Sequence, residues 1–188
     1  CQIGNQQFKK IAGPKGTILH ELLIAYLATA GLTENDVEFL SMGIPDAQAA
    51  LAGGTVDCAL LAGPVAYNMA KDGYPIVTTG QGLVDATIVV ATSQDFYKKN
   101  PLLVKRFLEA QDRIQQYMEE NPQEILEITA KETELSIDAV KEMFPMYDFS
   151  TEITEADLAS MKKTEQFMKD NGMIENRVDI DSLILKVE

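Results

Sequence analysis

The chain has 188 residues, 46% of them hydrophobic and 24% charged, with a formal net charge of −13. This is the composition of a globular protein of one domain or two small lobes, large enough to bury roughly 70% of its unfolded surface. The acidity argues against a reader of nucleic-acid phosphates or a binder of anionic lipid, and no apolar run approaches the ~20 residues of a membrane span.

Residues before Ile11 are polar, with Phe8 and Ile11 expected to meet the core. A short strand runs into Gly13-Pro14-Lys15-Gly16-Thr17. A helix is then predicted over 17–30, because Leu19, Leu22, Leu23, Tyr26 and Leu27 recur at helical spacing, widened by Ile18 and Ile24. Thr17 is the expected N-cap and Gly31 the expected stop. Thr33 to Asp36 reads as a turn and Val37 to Met42 as a strand. Asp46 to Leu51 reads as a short Ala-rich helix ended by Gly53-Gly54, with Asp46 as its N-cap.

Val56 to Ala62 is a near-continuous apolar run, as in a parallel strand covered on both faces. Pro64 to Lys71 reads as a helix stopped by Asp72-Gly73, and Pro75 to Thr79 as a strand. This βαβαβαβ order with short connections predicts a parallel α/β sheet with right-handed crossovers. Character changes near Gly80-Gln81-Gly82, the predicted boundary between parts 1–80 and 81–188. One more strand is expected over Ala86 to Thr92. Helices follow over 93–99, 101–120, 122–131, 137–144 and 155–171, opened by Ser93, Asn100-Pro101, Asn121-Pro122, Ser136 and Thr154. The long helix is expected to bury Leu103, Phe107, Ala110, Ile114 and Met118.

Gly16, Thr17 and the Ile18 amide place backbone N–H groups and a hydroxyl at a helix start, a site for an anionic or strongly polar small molecule. Gly63-Pro64 ends a buried strand and leaves room for a ligand against backbone. Gly43-Ile44-Pro45 stands at another strand end, where open α/β sheets take their ligands. Neither a phosphate-binding loop nor a dinucleotide fingerprint fits, since no Lys stands between Gly16 and Thr17 and there is no G-x-G-x-x-G. Lys15 reads as solvated, Tyr67 as core, and Glu119, Glu120, Glu124 and Glu127 as a solvated helix face. His20, the one histidine, reads as solvated or capping. No converging set of metal ligands is visible, and no cofactor is expected. Cys58 reads as a small core side chain. Cys1 is either the lipid-modified first residue of an exported protein or merely where a fragment begins.

Four passages together resemble the periplasmic-type solute-binding proteins of ABC importers, in the sulfonate, taurine and nitrate branch that also includes thiamine-precursor binders. They are KKIAGPKGTILHELL from Lys9, PDAQAALAGGTVDCALLAGP from Pro45, ATSQDFYKKNPLLVKRFLEAQ from Ala91 and YMEENPQEILEITAKETELS from Tyr117. The resemblance implies a type II periplasmic-binding-protein-like α/β fold: a parallel-sheet lobe, followed by a helical segment that belongs to the other lobe. It implies that the chain corresponds to the latter two-thirds of such a protein, with 1–80 most of the second lobe and 81–188 the crossover strand and C-terminal helices of the first.

The resemblance further implies an extracytoplasmic protein, in the periplasm or anchored as a lipoprotein. Such a protein captures a small solute in an interlobe cleft, without catalysis, and delivers it to a membrane permease. The ligand would meet Gly16, Thr17 and Ile18. Where sulfonate and taurine members often carry Trp-Asp-Pro, this chain has Ala62-Gly63-Pro64, which argues against an aminosulfonate. An absent first lobe would be replaced by a dimer contact or would leave an apolar patch exposed. The alternatives are the effector-binding domain of a transcription regulator, which would need a basic helix-turn-helix, and a pyrimidine-synthesising enzyme, which would need a catalytic Cys or His cluster.

Overall fold

In a computed structural model that describes residues 9–187, strand β1 (Lys10–Gly13) is the centre of a three-stranded parallel sheet. Cys1 and Phe8 lie outside the described residues. On one side β1 pairs with β2 (Glu38–Ser41), Lys10 opposite Glu38 and Gly13 opposite Ser41. On the other it pairs with β3 (Cys58–Ala59), Ile11 opposite Cys58 and Ala12 opposite Ala59. Backbone bonds carry both pairings slightly further, from Met42 N–H to the Gly13 carbonyl (3.0 Å) and from Leu60 N–H to the Ala12 carbonyl (2.8 Å).

Side chains alternate across this sheet, and each face takes its own apolar layer. Ile11 joins Leu23 and Leu27 of helix α1 (Ile18–Thr29), with Leu32, Val37, Phe39, Cys58 and Leu60 packed around them. Ala12 joins Ala47 of helix α2 (Ile44–Ala52) and Val56, surrounded by Leu40, Met42, Leu51, Ala59 and Leu61. Helix α3 (Gly63–Lys71) follows β3. Helices α1, α2 and α3 stop alike: the N–H groups of Leu32, Thr55 and Tyr74 each reach back five residues, to the carbonyls of Leu27, Ala50 and Met69. In each case a glycine occupies the preceding, left-handed position, as the sequence signals require.

Two predicted strands are absent. Residues 75–79 and 86–92 form no ladder, and Ile76 and Ile88 are 67% and 91% exposed. Both segments have strand-like composition, but a strand exists only where a partner accepts its hydrogen bonds, and among the described residues none does. The predicted 56–62 strand shrinks to Cys58–Ala59, because β1 is short and Pro14 beyond it has no N–H to extend the pairing. Helix α2 begins two residues earlier than expected, with Gly43 rather than Asp46 as N-cap.

By its contacts the chain divides into two units, one up to Thr87 plus Ser160–Val178, the other Ile88–Ala159 plus the segment from Asp179. The second is helical: α4 (Gln94–Lys99), α5 (Pro101–Glu120), α6 (Pro122–Thr133) and α7 (Ile137–Met143). Ser93 and Ser136 cap α4 and α7, accepting from the Phe96 and Ala139 amides. Asn100 and Asn121 work differently. Their side-chain amides donate backwards to the carbonyls of Phe96 and Tyr117, closing one helix while the following proline opens the next. Ala130, Ala139, Val140 and Ile180 are buried in this unit, Ile180 from the short helix that follows. Helix α5 buries none of its residues. Leu103, Phe107 and Ile114, expected in a core, are about half exposed, and Ala110 and Met118 are half-buried. The apolar positions do recur at helical spacing, but among the described residues nothing buries them.

Helix α8 (Glu155–Asp170) starts at a reciprocal cap, where the Thr154 hydroxyl accepts from the Asp157 amide and the Thr154 amide donates to the Asp157 carboxylate. Its later residues belong to the α/β unit. There Thr164 donates to the buried Glu21 carboxylate of α1 (3.2 Å), and buried Glu165 accepts from Arg177 Nε and the Val178 amide (2.8 and 2.9 Å).

A Cβ on Gly13 would stand 2.7 Å from Leu60 Cβ, so only a bare backbone lets β3 close on β1. Gly13→Ala should cost the α/β unit about 1–3 kcal/mol in urea denaturation, and an unchanged midpoint would refute the packing described. Arg177 and the Val178 amide hold the Glu165 carboxyl below its ordinary range, so its stabilisation is complete above that range and is lost as pH falls through the lowered value. Burial raises the carboxyl of Glu21, which acts with the opposite sign. Glu165→Gln should weaken the unit at neutral pH and flatten its acid-side loss of stability. A slope as steep as that of the unsubstituted chain would contradict this.

Candidate ligand-binding site

The parallel register sets the carboxyl ends of all three strands on one edge of the sheet, and each strand is followed there by a helix start. The chain passes from β1 to β2 on one side, then crosses to β3 on the other. The reversal makes the crevice beyond β1 and β3 the topological switch point, where sheets of this kind hold ligands. Gly16, Thr17 and Ile18 follow β1, and Gly63 and Pro64 follow β3, so five of the seven predicted residues flank the crevice. Gly43 and Pro45 follow the outer strand β2 and stand to one side of it.

Gly16 turns the chain out of β1 with a φ of 72°, a left-handed conformation that glycine adopts without strain. Thr17 then occupies the N-cap position of α1 but does not cap. Its hydroxyl donates to the Pro14 carbonyl at 2.8 Å. The first-turn amides of Ile18 and Leu19 therefore have neither an intrahelical acceptor nor a side-chain one. The N-caps of α2 and α3, Gly43 and Ala62, have no side-chain oxygen at all. Three uncapped helix starts thus share one sheet edge; in the helical unit and at α8, Ser93, Ser136 and Thr154 cap α4, α7 and α8, while α5 and α6 start at Asn-Pro without a side-chain cap. The edge carries partial positive charge from aligned peptide dipoles and offers N–H donors to an anion or a polar oxygen.

Behind the Gly16 turn stands His20, which sequence reasoning placed as solvated or capping. It is 1% exposed. Its Nδ1 accepts from the Gly16 amide at 3.3 Å, its Nε2 lies 3.2 Å from Glu34 Oε2, and its ring stacks on Phe39 with centroids 4.8 Å apart. The missed signal was spacing: His20 lies three and seven residues before the buried Leu23 and Leu27, on the same helix face. Lys15 pairs with the other oxygen of Glu34 at 3.7 Å and is largely solvated. Cys58 is half-buried, and burial pushes its thiol pKa up, so it is no ready nucleophile. Tyr67 is half-buried with the Lys71 ammonium over its ring, and Met69 supplies the buried side chain of α3. Among the described residues no group of three or more His, Cys, Asp or Glu could hold a metal ion. No described helix is long and apolar enough to cross a membrane.

Comparison with known proteins bears on the family and the fold. A Brachyspira hyodysenteriae protein that bears the name "Putative ABC transporter periplasmic binding protein" is 32% identical over 112 residues, which cover 57% of this chain and 32% of that protein. The periplasmic aliphatic sulphonate binding protein SsuA of Escherichia coli superposes with a TM-score of 0.77 at 20% identity, over 95% of this chain and 62% of its own. The alkanesulfonate-binding SsuA of Xanthomonas axonopodis pv. citri, solved with bound MOPS, gives a TM-score of 0.78 at 19% identity, over 95% and 63%. The chain therefore spans about a third of the curated relative and about three fifths of the solved chains. The expected type II binding-protein-like α/β fold is the fold found. Residues 7–125 match the NMT1/THI5-like family model, and the chain belongs to that family.

Proposed function

We propose that the chain is part of the extracytoplasmic solute-binding component of an ABC importer. In this reading it captures a small anionic or polar organic solute, passes it to a membrane permease, and catalyses nothing. The α/β unit is the second lobe of the family fold. The observation that carries the reading is the uncapped start of α1 at the β1/β3 switch point, with Gly16, Thr17 and Ile18 on one side of the crevice and Gly63 and Pro64 on the other. A sulfonate suits this site: it brings a compact negative charge and three acceptor oxygens to amides that lack acceptors. The names of the relatives, a periplasmic binding protein and two sulfonate binders, support the same class. Gly63 in place of an acidic residue removes a partner for a ligand amine, which favours a sulfonate without one. Gly43 and Pro45 take a secondary part at most, since they follow the outer strand.

Thr17→Asp tests the reading. A carboxylate at this position would cap α1 from within and occupy the place of the anion. The substitution should stabilise the free protein by about 0.5–1 kcal/mol and abolish the thermal shift given by sulfonates. The unsubstituted chain at 100 times Kd should gain about 2.7 kcal/mol from a bound probe, read against nitrate, bicarbonate and pyrimidines as competitors. A sulfonate shift that survives Thr17→Asp would move the site elsewhere.

A further inference from the structure

We infer that His20 is a positioning residue for the ligand-binding turn. Its buried imidazole, held by Glu34 in the Nε2–H tautomer, keeps the Gly16 amide engaged and so fixes where the Thr17, Ile18 and Leu19 amides point. The inference rests on the site proposed above, but its geometry stands independently. The Gly16 N–H can donate only to an unprotonated Nδ1, so the ring proton sits on Nε2, where the Glu34 carboxylate accepts it. Stacking on Phe39 at an interplanar angle of 8° fixes the ring plane, and Lys15 steadies Glu34 from its other oxygen. Both ring nitrogens of this buried side chain are used, Nδ1 on the Gly16 amide of the turn and Nε2 on the Glu34 carboxylate that holds the ring. A residue needed only to fill the core behind α1 would be apolar, as Leu23 and Leu27 are.

One consequence is specific. Gly16 contributes to ligand binding through its left-handed conformation, not through its N–H, which points back to His20. The anion is left to the amides of Thr17, Ile18 and Leu19.

The test uses the chain as it stands, with MOPS as the sulfonate probe. Long-range proton–nitrogen spectra should show His20 with a bare Nδ1 and a protonated Nε2, and the opposite tautomer would overturn the inference. His20→Phe keeps the stacked ring and removes the acceptor. His20→Asn returns an acceptor to the Nδ1 position. The expected result is faster Gly16 amide exchange and about threefold to tenfold weaker MOPS binding in His20→Phe, both recovered in His20→Asn even where its melting temperature is lower. Unchanged Gly16 exchange in His20→Phe, or weakened binding that His20→Asn does not recover, would overturn it. If His20→Phe fails to fold, the tautomer and the Gly16 exchange of His20→Asn decide the matter. If the unsubstituted chain binds no anion, the proposed function fails, while the tautomer and Gly16 exchange still decide the role of His20.

Discussion

Everything in the α/β unit depends on β1 being a central parallel strand of four residues with a different requirement at almost every position. Ile11 closes one apolar face and Ala12 the other. Gly13 has no side chain because Leu60 occupies that space. Pro14 ends the ladder. With β1 in the middle, β2 and β3 must lie on opposite sides, and the two connections must leave from the same edge. The switch point follows from that order alone, before any ligand is considered. The close approach of Leu60 to Gly13 then brings the end of β3 beside the end of β1, so the two turns that flank the crevice are set by packing rather than by a side-chain clasp.

The electrostatics of that edge run against the rest of the molecule. A chain of net charge −13 repels anions at long range, so the anion binding proposed for this edge would act at short range, through oriented amides. Lys15, the nearest cation to the turn, is drawn to Glu34 rather than left to the crevice. Selectivity by this means favours ligands with several acceptor oxygens in a compact group, because each can meet an N–H without a fully charged partner. The half-exposed apolar side chains of α5 and the exposed Ile88, Val89 and Val90 belong to the helical unit, and the chain spans about three fifths of the solved structures it matches.

Much of this was legible in the sequence, and for identifiable reasons. Helix starts and stops were clear because Gly31, Gly54, Gly73, Ser93, Ser136 and the two Asn-Pro pairs are local signals that act on their own neighbours. The turns after β1 and β3 were legible because Gly16-Thr17 and Gly63-Pro64 mark strand-to-helix junctions. Partner-dependent features were not legible. Composition cannot say whether residues 75–79 and 86–92 find a ladder, nor whether Leu103, Phe107 and Ile114 find a covering surface. The burial of His20, Glu21 and Glu165 was hidden because each is polar and is satisfied by a residue distant in sequence or by a loop amide. Thr17 illustrates the limit most directly. Its type and position predicted a cap, but its hydroxyl bonds to Pro14 and leaves the helix start open.

The most direct test of the account is where a sulfonate lands. Amide chemical shifts followed through a MOPS titration should move most at Thr17, Ile18 and Leu19, next at Gly63 and Val65, and little at Ile44 and Asp46. Movement centred on the start of α2, or confined to the helical unit, would contradict the assignment of the β1/β3 switch point as the binding site.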